Sequence, residues 1–81
     1  MEYFVYIIRS GKDNSNYTGL TANLERRVAE HNKSDTKTTR SKKPWRLIYF
    51  EKYSSRIEAR KREKYLKSGT GRELRKQLLP D

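Results

Sequence analysis

YFVYIIRSGKDNSNYTGL, residues 3–20, decides how this 81-residue chain folds. Tyr3 to Arg9 is β-branched and aromatic, the composition of a strand. Both alternating sets, Tyr3/Val5/Ile7 and Phe4/Tyr6/Ile8, are apolar or aromatic. Successive strand side chains point to opposite faces, so this strand is predicted to be central and covered on both sides. Residues 10–16 (SGKDNSN) are a run of turn formers, and Tyr17-Thr18-Gly19-Leu20 then resumes an extended character. Together they predict a hairpin with a longer loop.

Outward from the hairpin the pattern turns helical. Thr21 or Asn23 can cap a first helix, whose apolar stripe is Leu24 and Val28 at i, i+4. At 100° per residue Arg27 and His31 fall on that same face or its edge, whereas Glu25, Arg26, Ala29 and Glu30 point elsewhere. Residues 32–44 form a polar segment carrying Lys33, Lys37, Arg40, Lys42 and Lys43, and Pro44 ends it. Trp45 to Tyr53 reads as another strand. Ser54 or Ser55 can cap a second helix running to about Lys67, with Ala59, Arg62, Tyr65 and Leu66 on its inner arc. Glu63 lies at the border of that arc and Glu58 near it, so periodicity does not choose between them. Residues 68–71 (SGTG) break this helix, and a short third one, Arg72 to Leu79, follows. The order β-β-α-β-α-α predicts an α+β fold: a small three-stranded, mainly antiparallel sheet flanked by three helices. We read it as a single domain spanning residues 1–81.

A chain of this length buries only about 60% of its unfolded surface, so the core is small. Apolar residues make up 32% of the chain and charged residues 37%, but the apolar ones are bunched into short runs that a disordered chain would not need. Twenty Lys and Arg stand against ten acidic residues, a net charge of +10. That imbalance opposes compaction by self-repulsion and accelerates encounter with polyanions. Nucleic acid is the expected partner. A membrane is not, because no wide apolar helix face accompanies the charge and the longest apolar run, Phe4 to Ile8, is too short to span one. The absence of cysteine excludes disulfides and thiolate zinc sites, and a single histidine leaves no transition-metal cluster. The run from Phe4 lacks a preceding basic region, so it is not a signal peptide, and a cytoplasmic, nucleoid-associated location suits the charge.

Four pieces of the chain carry chemistry in a fixed order: Phe4-Val5-Tyr6, Tyr17-Thr18-Gly19, residues 24–31 (LERRVAEH) and residues 58–63 (EARKRE). Each alone is weak; in this order and at these spacings the chain resembles the GIY-YIG nuclease superfamily over essentially its whole length. The likeness is greatest to its small standalone bacterial (YhbQ/YazA-type) members. The resemblance implies that Tyr6, Tyr17, Arg27 and His31 are catalytic, that Gly19 is the motif glycine, and that the spacing from Ala59 selects Glu63 over Glu58 as the metal ligand. It implies hydrolysis of DNA, in preference to RNA, with Mg²⁺ (or Mn²⁺) at one divalent ion per site.

The residue types suit that chemistry. Phosphodiester hydrolysis needs an in-line water, a base for its proton and positive charge on the developing phosphorane. A hard cation held by one carboxylate, with waters and phosphate oxygens completing its shell, is an ordinary arrangement for Mg²⁺. Arg27 offers a rigid fork to a non-bridging oxygen. One tyrosine would serve as general base or orient the water, and the resemblance leaves open which. A phenol with a pKa of about 10 is a poor base at neutral pH unless a metal or the basic cluster lowers it. His31 would hydrogen-bond a tyrosine or the phosphate. Lys37, Arg40, Lys42 and Lys43 form a basic lip for the phosphate backbone, and Arg60, Lys64 and Lys67 extend it on the second helix.

Two departures mark the chain. The first motif is Phe-Val-Tyr in place of Gly-Ile-Tyr, and no asparagine occurs after Asn32, where many active members carry one downstream of the metal-binding glutamate. Ser68, Thr70 or Arg72 would have to take that role. The alternative reading is a catalytically weak or inactive module of the same fold that binds DNA or RNA. The sequence leaves the oligomeric state open and is compatible with a monomer.

Overall fold

The computed structural model describes residues 1–33 and 42–79. Strand β1 (Tyr3–Ser10) pairs antiparallel with β2 (Asn16–Thr21) on one side and β3 (Trp45–Tyr53) on the other, giving the sheet order β2-β1-β3. The three helices are α1 (Leu24–Asn32), α2 (Arg56–Lys67) and α3 (Gly69–Leu78). This is the expected α+β architecture, with every pairing antiparallel. The hairpin loop turns at Asn14, whose φ of 63° is a left-handed value that asparagine tolerates.

The two-faced reading of β1 explains the layers. Tyr6, Ile8 and Trp45 pack with Tyr17, Leu24, Val28 and Leu47 under α1. Val5, Ala59 and Leu66 pack with Tyr3, Leu20, Tyr53, Leu74 and Leu78 under α2 and α3. The β1–β3 register slips between Ile7 and Ile8, leaving Ile48 unopposed. Because of that bulge, Trp45 and Leu47 on one side of it and Phe50 on the other share the α1 face.

Caps set the helix boundaries. Asn23, not Thr21, caps α1: its Oδ1 accepts from the Arg26 N–H at 3.1 Å, while the Thr21 hydroxyl accepts from the Asn23 N–H. Ser55 caps α2 and receives the Glu58 N–H at 3.2 Å, and its hydroxyl lies 3.3 Å from the Glu58 carboxylate. This Ser-x-x-Glu capping box assigns Glu58 to the helix entrance. Two expectations are corrected. The inner arc of α2 is Ala59, Glu63 and Leu66, at i, i+4 and i+7, whereas Tyr65 is exposed with the Arg62 guanidinium over its ring. The break after α2 is also shorter than residues 68–71, because Ser68 alone closes one helix and opens the next. Its N–H donates to the Tyr65 carbonyl at 3.0 Å, and its hydroxyl accepts from the Gly71 N–H at 3.1 Å. Glycine is required at this corner: a Cβ on Gly71 would stand 1.7 Å from the Tyr65 carbonyl oxygen.

Candidate active site

The site grows from Tyr6, in the middle of the central strand and directly opposite Gly19 on β2. A Cβ on Gly19 would lie 2.4 Å from the Tyr6 hydroxyl oxygen, so the phenol lies across the space that a side chain at Gly19 would fill. That explains the glycine of the second motif without appeal to backbone freedom. Passing over Gly19, the Tyr6 hydroxyl reaches His31 Nε2 at 2.9 Å, and Arg27 Nε donates to it at 3.4 Å. Arg27 and His31 are one turn apart on α1, and the apolar contacts of Leu24 and Val28 point that face at the sheet. Tyr6 and His31 are 1% and 0% exposed.

Burial reinforces the neutral forms of this group. It pushes the Tyr6 phenol above its usual value, with Tyr17 and Glu63 adding to the rise and the Arg27 bond and charge only partly opposing it. Burial, reinforced by the Arg27 charge, pushes the His31 imidazole below its usual value, against a weaker pull from Glu30. At neutral pH both rings are therefore uncharged, and His31 Nε2 is available as acceptor for the phenol proton. At Tyr6 the loss of water outweighs the Arg27 guanidinium. Arg27 is raised, first by its bond to Tyr6.

Around this pair is an aromatic wall. The Tyr17 ring meets His31 edge-on at 5.2 Å between centroids, and Trp45 lies 6.5 Å from Tyr17 and 6.4 Å from His31. Asn32 positions Trp45 by two hydrogen bonds to its backbone: Nδ2 donates to the carbonyl at 3.0 Å, and the Trp45 N–H donates to Oδ1 at 2.6 Å. Tyr17 is half-buried, and among the described residues its hydroxyl has no hydrogen-bond partner.

Glu63 approaches from α2 and is 6% exposed. Arg60 donates to its Oε1 at 3.3 Å and Lys67 to its Oε2 at 3.1 Å, and the Lys67 ammonium stands 5.7 Å from the centroid of the Tyr17 ring. Lys67 thus links the carboxylate to Tyr17, and Glu63 is near enough to Tyr6 to act on its phenol. Among the described residues no group of three His, Cys, Asp or Glu side chains could enclose a metal. The donor set is one carboxylate gripped by two displaceable cations, which fits a hard divalent ion that keeps most of its shell in water and phosphate.

The structure thus brings together Tyr6, Tyr17, Gly19, Arg27, His31, Glu63, Arg60 and Lys67. Lys42 lies elsewhere, 3.6 Å from Asp13 of the hairpin loop, and its carbonyl accepts from the Ser10 hydroxyl. Lys43 is exposed ahead of Pro44, and Lys64 is exposed on α2. Lys37 and Arg40 lie outside the described residues. Two participants escape the sequence reading. Glu30, expected to point elsewhere, accepts from Arg27 Nη1 at 3.1 Å, an i, i+3 pair that the helix spacing could have signalled. Trp45 reads as a strand residue, and no local signal announces that it walls in a histidine.

The GIY-YIG catalytic domain model matches residues 2–77. The UPF0213 protein of Staphylococcus haemolyticus is 44% identical over 68 residues, covering 83% of this chain and 82% of that protein. That of Clostridium perfringens is 46% identical over 68 residues, covering 83% and 72%. The solution NMR structure of a UPF0213 protein from Bacillus halodurans matches with a TM-score of 0.58 at 33% identity, over 96% of this chain and 85% of that one.

Proposed function

The chain belongs to the GIY-YIG catalytic-domain family, and on that premise we propose that it is a Mg²⁺-dependent endonuclease that hydrolyses DNA phosphodiesters by direct attack of water. The observation that carries the reading is the division of labour between the two tyrosines. Tyr6 is sealed, neutral and bonded to His31 and Arg27, so it is the hub that sets the positions of those two side chains. Tyr17 is half-exposed with an open hydroxyl and a lysine beside its ring. Tyr17 is therefore the side chain that meets the attacking water: its hydroxyl proton passes to solvent first, and the phenolate oxygen then orients the water and takes its proton. As the new oxygen–phosphorus bond forms, the bond to the leaving oxygen breaks and that oxygen takes a proton from solvent. Arg27 grips a non-bridging oxygen through its fork. Glu63 would hold the divalent ion, Mg²⁺ or Mn²⁺, which when bound would neutralise charge on the phosphoryl oxygens. The excess of positive charge supports a structure-dependent or weakly sequence-specific grip, since phosphate contacts carry little sequence information.

A second reading has an observation of its own. Glu63 already has a cation on each oxygen, the arrangement of a carboxylate at rest in a module that binds nucleic acid without cutting it. Incubation with supercoiled, branched and single-stranded DNA, with and without Mg²⁺, separates the two. Wild type should cut only with Mg²⁺. Tyr17→Phe and Glu63→Ala should each lower cutting by at least about 100-fold, while salt-sensitive binding persists. Binding by all three proteins without cutting by any would establish the module. Equal cutting by all three would mark a contaminant and remove the enzyme reading.

A further inference from the structure

Beyond the Tyr17 ring the surface dips into a cavity of about 320 Å³, lined by Asn16, Tyr17, Thr18, Lys67, Arg72 and Arg75. Three of its six lining residues are cationic and none is acidic. Lys67 is balanced by Glu63. Arg72 and Arg75, by contrast, form no ion pair among the described residues, and the described side-chain contact of Arg75 is a bond from its Nη1 to the Thr18 hydroxyl at 3.3 Å. Glu73, the acidic residue of α3, does not line the cavity and pairs with Lys76 at 3.6 Å. Two guanidinium groups without carboxylates thus line one cavity, Arg72 exposed and Arg75 half-buried. Such an arrangement is favourable when an anion completes it.

The frame is built to hold its shape. Ser68 caps both helices at this corner, and Gly71 presses against the Tyr65 carbonyl, which fixes how α3, carrying Arg72 and Arg75, leaves α2. Arg75 reaches Thr18 across 57 positions of sequence, so the cavity is a tertiary product. Planar guanidinium groups suit the oxygens of a phosphodiester, which they can engage through paired N–H donors. Tyr17 lines the cavity and its ring also meets His31, so an anion seated here would border the candidate site.

We propose that Arg72 and Arg75, with Lys67 and the Thr18 hydroxyl, form a subsite for a non-scissile backbone phosphate adjacent to the one engaged at Tyr17. This rests on the nucleic-acid reading above, and not on cutting. The test is binding of a fluorescent single-stranded oligonucleotide to the full chain without divalent metal, by anisotropy over a salt series. Probes carry one neutral methylphosphonate linkage, moved along the strand. Arg72→Gln and Arg75→Gln should each weaken binding about ten-fold in 0.1 M salt and make the slope of log affinity against log salt shallower by about 0.7. One position of the neutral linkage should cost wild type a similar factor and cost the Arg72→Gln/Arg75→Gln double variant nothing further. Arg75→Lys, which keeps charge but loses the fork, should recover only part of the loss. Unchanged melting temperatures of the variants exclude loss of fold. If the variants bind like wild type, or if their loss is the same for every position of the neutral linkage, the subsite does not exist. Loss of cutting by Tyr17→Phe bears on the enzyme reading alone, so the two can fail separately.

Discussion

Two glutamates sit within the fold, and their surroundings differ in a way that separates structure from chemistry. Glu51 on β3 has both oxygens occupied by rigid, half-buried donors. Arg62 donates through Nε at 2.8 Å and Nη2 at 3.0 Å, Tyr53 donates at 2.7 Å, and the Tyr49 hydroxyl completes the set. Burial alone would raise this carboxyl, but the Arg62 bonds and the two phenols outweigh it and hold it below the usual range. Glu63 is the more buried of the two, with 8% of its side chain exposed against 17%, yet its partners are the ends of long side chains that are 57% and 48% exposed. Glu51 is saturated by groups that cannot leave; Glu63 is neutralised by groups that can. Burial therefore does not separate the two carboxylates, whereas the exchangeability of their partners does.

The comparison can be broken by exchanging each carboxylate for an amide. Glu63→Gln should lower Mg²⁺-dependent cutting by at least about 100-fold and leave the denaturation midpoint nearly unchanged, because its partners turn to water. Glu51→Gln should do the reverse: a loss of about 3 kcal/mol in urea unfolding, from a half-buried guanidinium left without its charge, with cutting per folded molecule retained. If Glu51→Gln also abolished cutting in folded protein, the distinction would be wrong. Gly19→Ala is a positional counterpart. The new methyl would displace the Tyr6 ring, costing about 1–3 kcal/mol in stability and at least ten-fold in cutting, although no charge has changed.

The smallest effect lies at alkaline pH. Burial first, and then the bond to Glu51, raise the Tyr53 phenol from 10.0 to about 12. The folded state therefore holds this proton where the unfolded chain has released it. Its contribution to stability is complete below pH about 10 and is lost as pH rises toward about 12. Melting temperature in that window should fall less steeply for Tyr53→Phe than for wild type. Equal slopes would mean that the phenol is not clamped by Glu51.

Much of the site is legible in the sequence because its elements are local. Asn23 and Ser55 are cap-forming residues placed just ahead of helical periodicity, and both cap in the fold. The spacing Ser55-x-x-Glu58 is itself a capping-box signature, and in the fold the Glu58 carboxylate accepts from the Ser55 hydroxyl at the start of α2. Lys42 illustrates the opposite case: its charge suits a nucleic-acid lip, but in the fold its ammonium meets Asp13. Charge indicates what a side chain attracts, not which neighbour reaches it first.

The sequence by itself determined the elements, their order and the two-faced central strand, since strand and helix periods, turn formers and caps act within a few residues. Only the tertiary structure decided which way α2 rolls, and so that Glu63 and not Tyr65 turns inward. It alone laid Tyr6 over Gly19 to meet His31, 25 positions away, and removed the water whose loss raises the phenol and lowers the imidazole. Those outcomes depend on how closely distant elements approach and how much solvent they exclude, and neither quantity is a property of any local stretch of chain.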